Sequence, residues 1–426
     1  MVRGEEPVNK TIYALAYIGA TVMASIAAPQ TIAATYNVTA AWSSGSVLGQ
    51  PAAWCSYIIP DERPLTIPRT LVVGNDIPNG TEIYSWGYGE AFSDFIVTCT
   101  SSGIRGGGNN IDAYMDSRLV LSTNSSGYIP LNDSGLALKL WFRFNNPPGF
   151  DYTGCGGVSA NCEYYDTSYY APSYTTKVPS GTEVEGSPAG YTMQGATQVM
   201  RKFRTSITPV DYIFLTHRGS ISVRMSLVKI GTIQYNSPLK VLNSSVLRND
   251  IRLNTASTSL NGFLDGTGIT IAPPACQLKT TDYTVPMGRW AADSITYVGA
   301  PVYGSSVPVN LSLECSSKVN HVRFRFEDTG SSLSSNNISL YDTAGGNKID
   351  GLEIELFYNG TKVNVDNSTL TDTGSHGSFV SFDPVFDSFS TATFQARYVQ
   401  KAAVTRSGAN YTGPVTGMVN MYVTYD

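Results

Sequence analysis

Apolar residues recur at every second position in one stretch of the chain after another. In GLALKLWFRF, Leu136, Leu138, Leu140, Phe142 and Phe144 fall on one face. HVRFRFED places Val322, Phe324 and Phe326 together, GLEIELFYNG does so with Leu352, Ile354, Leu356 and Tyr358, and TATFQARYVQ with Phe394, Ala396 and Tyr398. The period of two is that of a strand with one face in a core and one in water. Turn-forming clusters such as NDIPNGT, GGGNN and DTAGGNK separate these runs. Many short strands with this punctuation predict an all-β chain of β-sandwiches. No long amphipathic helix is legible. The last residues alternate as well: Val419, Met421, Val423 and Tyr425 on one side, Asn420, Tyr422, Thr424 and Asp426 on the other.

The patterning weakens in NTASTSLNGFLDGTGITIAPPAC, residues 254–276, which is rich in Ser, Thr, Gly and Pro. This reads as a linker between two domains. The expected division is 1–34 as a signal peptide, 35–255 as a first sandwich, 256–267 as linker and 268–426 as a second. The second has the size of one Ig-like sandwich, without the Cys…Trp…Cys spacing of antibody domains. Within the first, residues 145–195 form an irregular insert, too rich in Pro and Gly for core strands and crowded with tyrosine. A long loop on a sandwich is a usual place for binding residues.

Composition supports strands and restricts partners. Charged residues make up 14% of the chain, below the roughly 25% of ordinary domains. Ser, Thr, Asn and Tyr must therefore supply the polar surface. A formal net charge of −5 gives no electrostatic reason to expect nucleic acid. Near the start, Lys10 precedes the apolar run TIYALAYIGATVMASIAA and then small residues, the layout of an export signal cleaved after Ala33 or Ala34, with Ala27 as the alternative site and a membrane anchor as the alternative reading of the run.

The six cysteines agree with an oxidising compartment. Fifteen connectivities are possible, and their clustering favours the neighbour pairs Cys55–Cys99, Cys155–Cys162 and Cys276–Cys315. On the loop-entropy model each long pair contributes roughly 4 kcal/mol and the short one about 2.5 kcal/mol. Zinc finds no CxxC or Cys/His set, and His217, His321 and His376 are divided between the two domains, so no metal or cofactor is expected. Neither GxSxG, HExxH nor a P-loop occurs. The acids Asp112 and Asp116 read as solvated loop residues, and no enzyme activity is expected. Asn-x-Ser/Thr triplets, as at Asn37 and Asn310, are what a Ser/Thr/Asn-rich chain produces by chance.

In the second half, PACQLKTTDYTVPMG around Cys276, VPVNLSLEC ending at Cys315, GLEIELFYNG, FQARYVQ and the terminal MVNMYVTYD stand in an order that resembles the pilin domain of chaperone–usher fimbriae. The terminal motif is the most specific: a glycine fourteenth from the end, Gly413, then alternating apolar residues and a penultimate aromatic, Tyr425. The resemblance covers essentially 268–426. It implies an Ig-like sandwich lacking its last strand, with an open edge that a periplasmic chaperone covers first and a strand from the next subunit later. Gly413, Val419, Met421, Val423, Tyr425 and Asp426 are then the expected interface with chaperone and donor strand. An outer-membrane usher is the further partner.

Pilins of this family begin with a short donor extension. Here a separate domain precedes the pilin domain, so the resemblance implies a subunit that accepts a strand without giving one, placed at the fimbrium tip after export through the periplasm. Two-domain tip subunits of the family are adhesins that attach bacteria to host or surface glycan or glycoprotein receptors. The alternative is a structural minor pilin or tip adapter without receptor. The Cys55–Cys99 loop resembles the first disulfide loop of the lectin domains, but CTSSG lacks the Asn-Asp pair of the mannose-binding type. Sugars present C–H faces and hydroxyl pairs, which aromatic rings beside carboxylates and amides recognise. Two clusters have that composition. One joins Trp86, Tyr88 and Glu90 to Asn109, Asn110 and Asp112. The other comprises Tyr164, Tyr165, Asp166, Tyr169, Tyr170 and Tyr174. The same rings could equally pack loops onto the sandwich.

Overall fold

The alternating runs become strands in a computed structural model of the chain. It describes residues 34–42, 45–103, 115–145, 168–170, 181–186, 194–196, 201–204, 210–213, 217–235, 238–253, 256–291, 297, 299–330 and 336–425. The expected signal peptide and the pair Cys155–Cys162 lie outside these residues.

The first half comprises β1 (Ala34–Ala41), β2 (Pro51–Ile59), β3 (Arg69–Val72), β4 (Glu82–Trp86), β5 (Phe95–Ser101), β6 (Met115–Leu121), β7 (Ile129–Leu131) and β8 (Leu136–Asn145). Then follow β9 (Ser168–Tyr170), β10 (Glu183–Glu185), β11 (Gln194–Ala196), β12 (Arg201–Arg204), β13 (Val210–Ile213), β14 (His217–Lys229), β15 (Leu247–Leu253), β16 (Ala256–Leu260) and β17 (Ile269–Ala272). The main sheet runs β1-β2-β5-β14-β8-β10, with β4 on β14 and β7 on β8. At its centre Leu140 stands opposite Met225 and Leu138 opposite Leu227, all four buried. Their neighbours Lys139, Trp141 and Arg224 point the other way, as the period of two requires. Leu121, Leu247 and Ile251 of the β16-β15-β6 sheet share the same core, as do Leu71, Ile269 and Ile271 of the parallel β3–β17 pair. Sheet faces sheet across one core, which is a sandwich.

The stretch expected as linker, 256–267, belongs to this first sandwich. β16 pairs antiparallel with β15, Phe263 is 1% exposed within an aromatic cluster with Phe92 and Phe95, and Leu264 is buried beside it. Ser, Thr and Gly surround a few apolar residues here, and those few are the ones that enter the core. β17 then pairs in parallel with β3, so the first core runs on through Ile271 and the chain leaves it at Pro273 and Pro274. The insert is not wholly irregular either: β10 joins the edge of the main sheet and β9 pairs with β11.

The second half comprises β18 (Cys276–Leu278), β19 (Val302–Tyr303), β20 (Val307–Cys315), β21 (Val322–Asp328), β22 (Ile338–Tyr341), β23 (Lys348–Tyr358), β24 (Thr361–Val363), β25 (Thr371–Asp372), β26 (Ser388–Arg406), β27 (Ala409–Asn410) and β28 (Val419–Tyr425). One sheet runs β18-β20-β26-β23-β22 with β19, β24 and β27 at its margins, and the facing sheet is β25-β21-β28. Phe324, Phe326 and Phe394 bridge the two, with Phe394 edge-on to both partners at 5.3 and 5.1 Å between ring centroids. Disulfides Cys55–Cys99 and Cys276–Cys315 each join directly opposed residues of neighbouring strands. Between the halves, the Val72 amide donates to the Phe382 carbonyl at 2.8 Å, and Phe382 packs against the first core.

Candidate functional site

Among the described residues, β28 is strand-paired on one side only. Its ladder with β21 runs from Val322 opposite Tyr425 to Asp328 opposite Val419, and no described strand pairs with its other edge. Val419, Met421 and Val423 turn toward the core yet stay half-buried, where the equivalent positions of β21 are fully buried. One layer of cover is missing beside them.

The opposite wall is the segment Thr281–Gly288. Tyr283, Val285 and Met287 alternate half-buried with more exposed neighbours, a strand's pattern, but the segment joins no ladder. Tyr283 fixes it by its hydroxyl, which donates to the Ser312 carbonyl and accepts from the Ser312 amide, both at 3.2 Å. Between this wall and Val415–Met421 lies a groove of about 930 Å³, floored by Leu311, Phe326, Leu340, Ile354, Leu356 and Tyr398. Gly417 keeps it open. A Cβ there would lie 2.9 Å from Ile338 Cγ2 and 3.1 Å from Leu340 Cδ2.

The outward face of β28 is knitted to β21. Tyr422 Oη donates to Glu327 Oε2 at 2.6 Å, Asn420 Nδ2 donates to the same oxygen at 3.3 Å, and the Arg325 guanidinium stands 4.4 Å from the Tyr422 ring centre. The hydrogen bond from Tyr422 holds the Glu327 carboxyl below the usual range, and the same bond raises the Tyr422 phenol. The strand is thus fixed in register on its paired side while its free edge keeps its N–H and C=O groups available. An added extended strand would find hydrogen-bonding edges at both walls and an apolar floor for every second side chain.

Of the residues expected at this interface, Val419 and Met421 line the groove, and Val423 packs beyond it with the core. Tyr425 is 41% exposed opposite Val322. Gly413 lies outside the groove, in an exposed turn where the Tyr411 hydroxyl donates to the Pro414 carbonyl at 2.7 Å. Asp426 lies outside the described residues. The wall at 281–288 and Gly417 were not anticipated. The alternation of Tyr283, Val285 and Met287 was the available signal for the wall.

The first sandwich separates residues that the sequence places together. Trp86 is not an exposed platform: it is 6% exposed, opposite buried Met225 and edge-to-face with Tyr84 at 4.6 Å. Strand alternation explains this, since position 86 falls on the core face of β4. Tyr88 instead joins the outer surface of the main sheet. Its hydroxyl donates to Glu183 Oε2 at 2.7 Å and its ring lies under the Arg143 guanidinium at 4.0 Å. Arg224 grips Glu183 through Nε at 2.8 Å and a terminal nitrogen at 2.6 Å, and itself covers Trp141 at 3.8 Å. These bonds from Arg224 hold the Glu183 carboxyl down to about 2, while burial and then the Glu183 bond push the Tyr88 phenol to about 12. Tyr169 and Tyr170 stand on β9, paired with Gly195 and Gln194 of β11. Asn109, Asn110, Asp112, Tyr164, Tyr165 and Asp166 lie outside the described residues.

Residues 267–426 match the model of the family described as fimbrial protein. No curated protein matches the chain. Among solved structures the chain is similar to the CupB6 tip adhesin from Pseudomonas aeruginosa, at 11% identity over 87% of this chain and 94% of that one, with a TM-score of 0.44. It is similar to the P pilus rod subunit PapA, at 18% identity over 36% of this chain and all of that one, TM-score 0.25. A third is the CsuC–CsuE chaperone–tip adhesion subunit complex of Acinetobacter baumannii, at 11% identity, covering 85% and 99%, TM-score 0.21. Residues 267–426, the stretch that matches the fimbrial protein model, thus combine a terminal strand paired with β21 alone among the described strands and an apolar groove between two strand edges.

Proposed function

We propose that the chain is a fimbrial tip adhesin. Its second sandwich accepts a strand from a periplasmic chaperone and then from the next subunit, and its first sandwich binds a glycan or glycoprotein receptor. The observation that carries this reading is the groove, whose two walls, β28 and Thr281–Gly288, each present an unpaired edge above an apolar floor. An exposed edge of this kind is an aggregation hazard unless a partner covers it. A second observation concerns the other end: β1 is hydrogen-bonded to β2 through eight register pairs, from Ala34 opposite Ile59 to Ala41 opposite Pro51, so residues 34–41 serve their own sandwich. They are not a free donor. A subunit that takes a strand, does not lend that segment and carries a second sandwich fits a place at the tip, reached by export through the periplasm and an outer-membrane usher.

The test uses the full chain. Expressed in the periplasm without a chaperone it should aggregate or be degraded, and a donor-strand peptide fused after Asp426 should rescue a monomer. A chain that is monomeric and stable with no chaperone and no added strand overturns the acceptor reading. The rescued protein, screened on a glycan array, tests the receptor: fibres that assemble normally with a first sandwich binding nothing favour the adapter reading.

A further inference from the structure

The first sandwich holds a second concavity, away from the groove. It measures about 390 Å³ and is lined by Pro64, Ile67, Arg69, Tyr84, Trp86, Glu90 and Ile269. That is at the lower end of small-molecule sites and suits a single ring, not an extended chain.

Its two charged groups keep hydrogen-bonding capacity that no described residue takes up. The Arg69 guanidinium lies 4.0 Å over the Tyr84 ring, and it makes no hydrogen bond or ion pair with any described residue. Tyr84 is in turn held edge-to-face by Trp86 at 4.6 Å. The cation is therefore set on an aromatic base with its planar fork of donors unused. Glu90 is fixed differently. Its Oε2 accepts from the Gly87 amide at 2.6 Å, while the Glu90 amide donates back to the Gly87 carbonyl at 3.1 Å. Oε1 accepts from no described group. A donor fork and an acceptor oxygen thus line one cavity without pairing to each other. The contrast with Glu183 and Arg224 is direct: there the same residue types pair with one another through two hydrogen bonds.

The walls complete the chemistry. Ile67, 56% exposed, shares the lining with Pro64, Ile269 and Trp86 and offers contact to C–H surface. Since Arg69 occupies the face of Tyr84, apolar contact comes chiefly from Ile67, with Pro64, Ile269 and Trp86 buried behind it. The ligand that answers all three demands carries a carboxylate for the Arg69 fork, a hydroxyl or amide N–H for Glu90 Oε1 and an apolar ring face between them. Resting on the reading of this sandwich as a glycan-binding domain, we infer that the cavity is a subsite for a terminal carboxylated monosaccharide.

The test titrates the full chain, stabilised by the fused donor strand, with 3′-sialyllactose, glucuronic acid and lactose, followed by ligand-observed NMR. Binding of one or both acidic sugars and not lactose is expected. Arg69→Ala should weaken it roughly 10-fold to 100-fold, the loss of charge-assisted hydrogen bonds, and Glu90→Gln should weaken it less. Both residues are exposed, and an unchanged melting temperature checks that the variants fold. Binding of lactose or array glycans that neither variant alters overturns this subsite and leaves the glycan reading standing. Binding of a free amino acid in place of the sugars reassigns the ligand and overturns the proposal. No binding to any saccharide in the panel or array overturns the glycan reading as well.

Discussion

Phe326 and Met421 face each other across the β21–β28 ladder, one fully buried and the other half-buried, although they occupy opposed positions on the same face. The difference is the missing neighbour on the far side of β28. A charge at Met421 would be solvated while the groove is empty and buried once a strand covers it. Met421→Asp should therefore leave the uncovered chain's secondary structure intact and weaken capture of a donor-strand peptide by roughly 100-fold or more, from an uncompensated buried charge of about 3–5 kcal/mol. Fluorescence-polarisation binding of the labelled peptide to both proteins measures it.

Gly417 predicts a steric counterpart. Its hypothetical Cβ meets Ile338 and Leu340, two groove residues, so Gly417→Val must push side chains into the space a donor would use. Overpacking costs about 1–3 kcal/mol, and peptide affinity should fall by about tenfold or more. Gly413→Ala, whose nearest neighbour is the side chain of Tyr411 and no groove residue, should leave peptide affinity within about twofold in the same assay.

Much of this groove was legible in the chain's last residues. The alternation of Val419, Met421 and Val423 fixes which side of β28 meets the core, whereas its open edge follows from the resemblance and not from the pattern. The opposite wall was harder. TDYTVPMG alternates, but it is short, holds a proline and forms no ladder, so pattern alone does not separate it from a loop. Trp86 was misjudged because a tryptophan near tyrosine and glutamate resembles a platform until the pairing of β4 with β14 fixes its face. Arg69 and Glu90, 21 positions apart, meet only through the turn after β4 and the strand β3. Nothing in either local stretch marks that meeting.

The boundary between the halves yields a stability prediction. Phe263 stands in the stretch expected as linker but packs edge-to-face with Phe92 and Phe95 in the first core. Phe263→Ala should destabilise the first sandwich by about 3–5 kcal/mol, as large-to-small changes of buried aromatics do. Phe394→Ala should cost a similar amount in the second. Differential scanning calorimetry of the donor-stabilised chain should show each variant lowering a different transition. A Phe263→Ala protein with unchanged unfolding would return the residue to a linker.

The pH dependence of the second sandwich should carry the mark of His376. Thr373 Oγ1 donates to the Val322 carbonyl at 2.7 Å, so at its 2.9 Å contact with His376 Nε2 it accepts, and that nitrogen carries the proton. His376 Nδ1 then accepts from the Ser390 hydroxyl, 2.5 Å away. The neutral ring is fully satisfied. Burial lowers its proton affinity below the ordinary value of 6.5, with hydrogen bonding to the Thr373 backbone and the nearby Asp372 charge opposing but not cancelling the effect. Below 6.5 the unfolded chain takes up a proton that the folded one resists, so stability present at neutral pH declines as pH falls from 6.5 through the folded value. His376→Gln keeps a donor and an acceptor without the titration. Urea midpoints of the donor-stabilised chain between pH 7.5 and 5 should fall for the wild type and fall less for the variant. Parallel curves would mean that His376 takes up its proton without cost, and that the hydrogen bonds of Thr373 and Ser390 serve the charged ring as well as the neutral one.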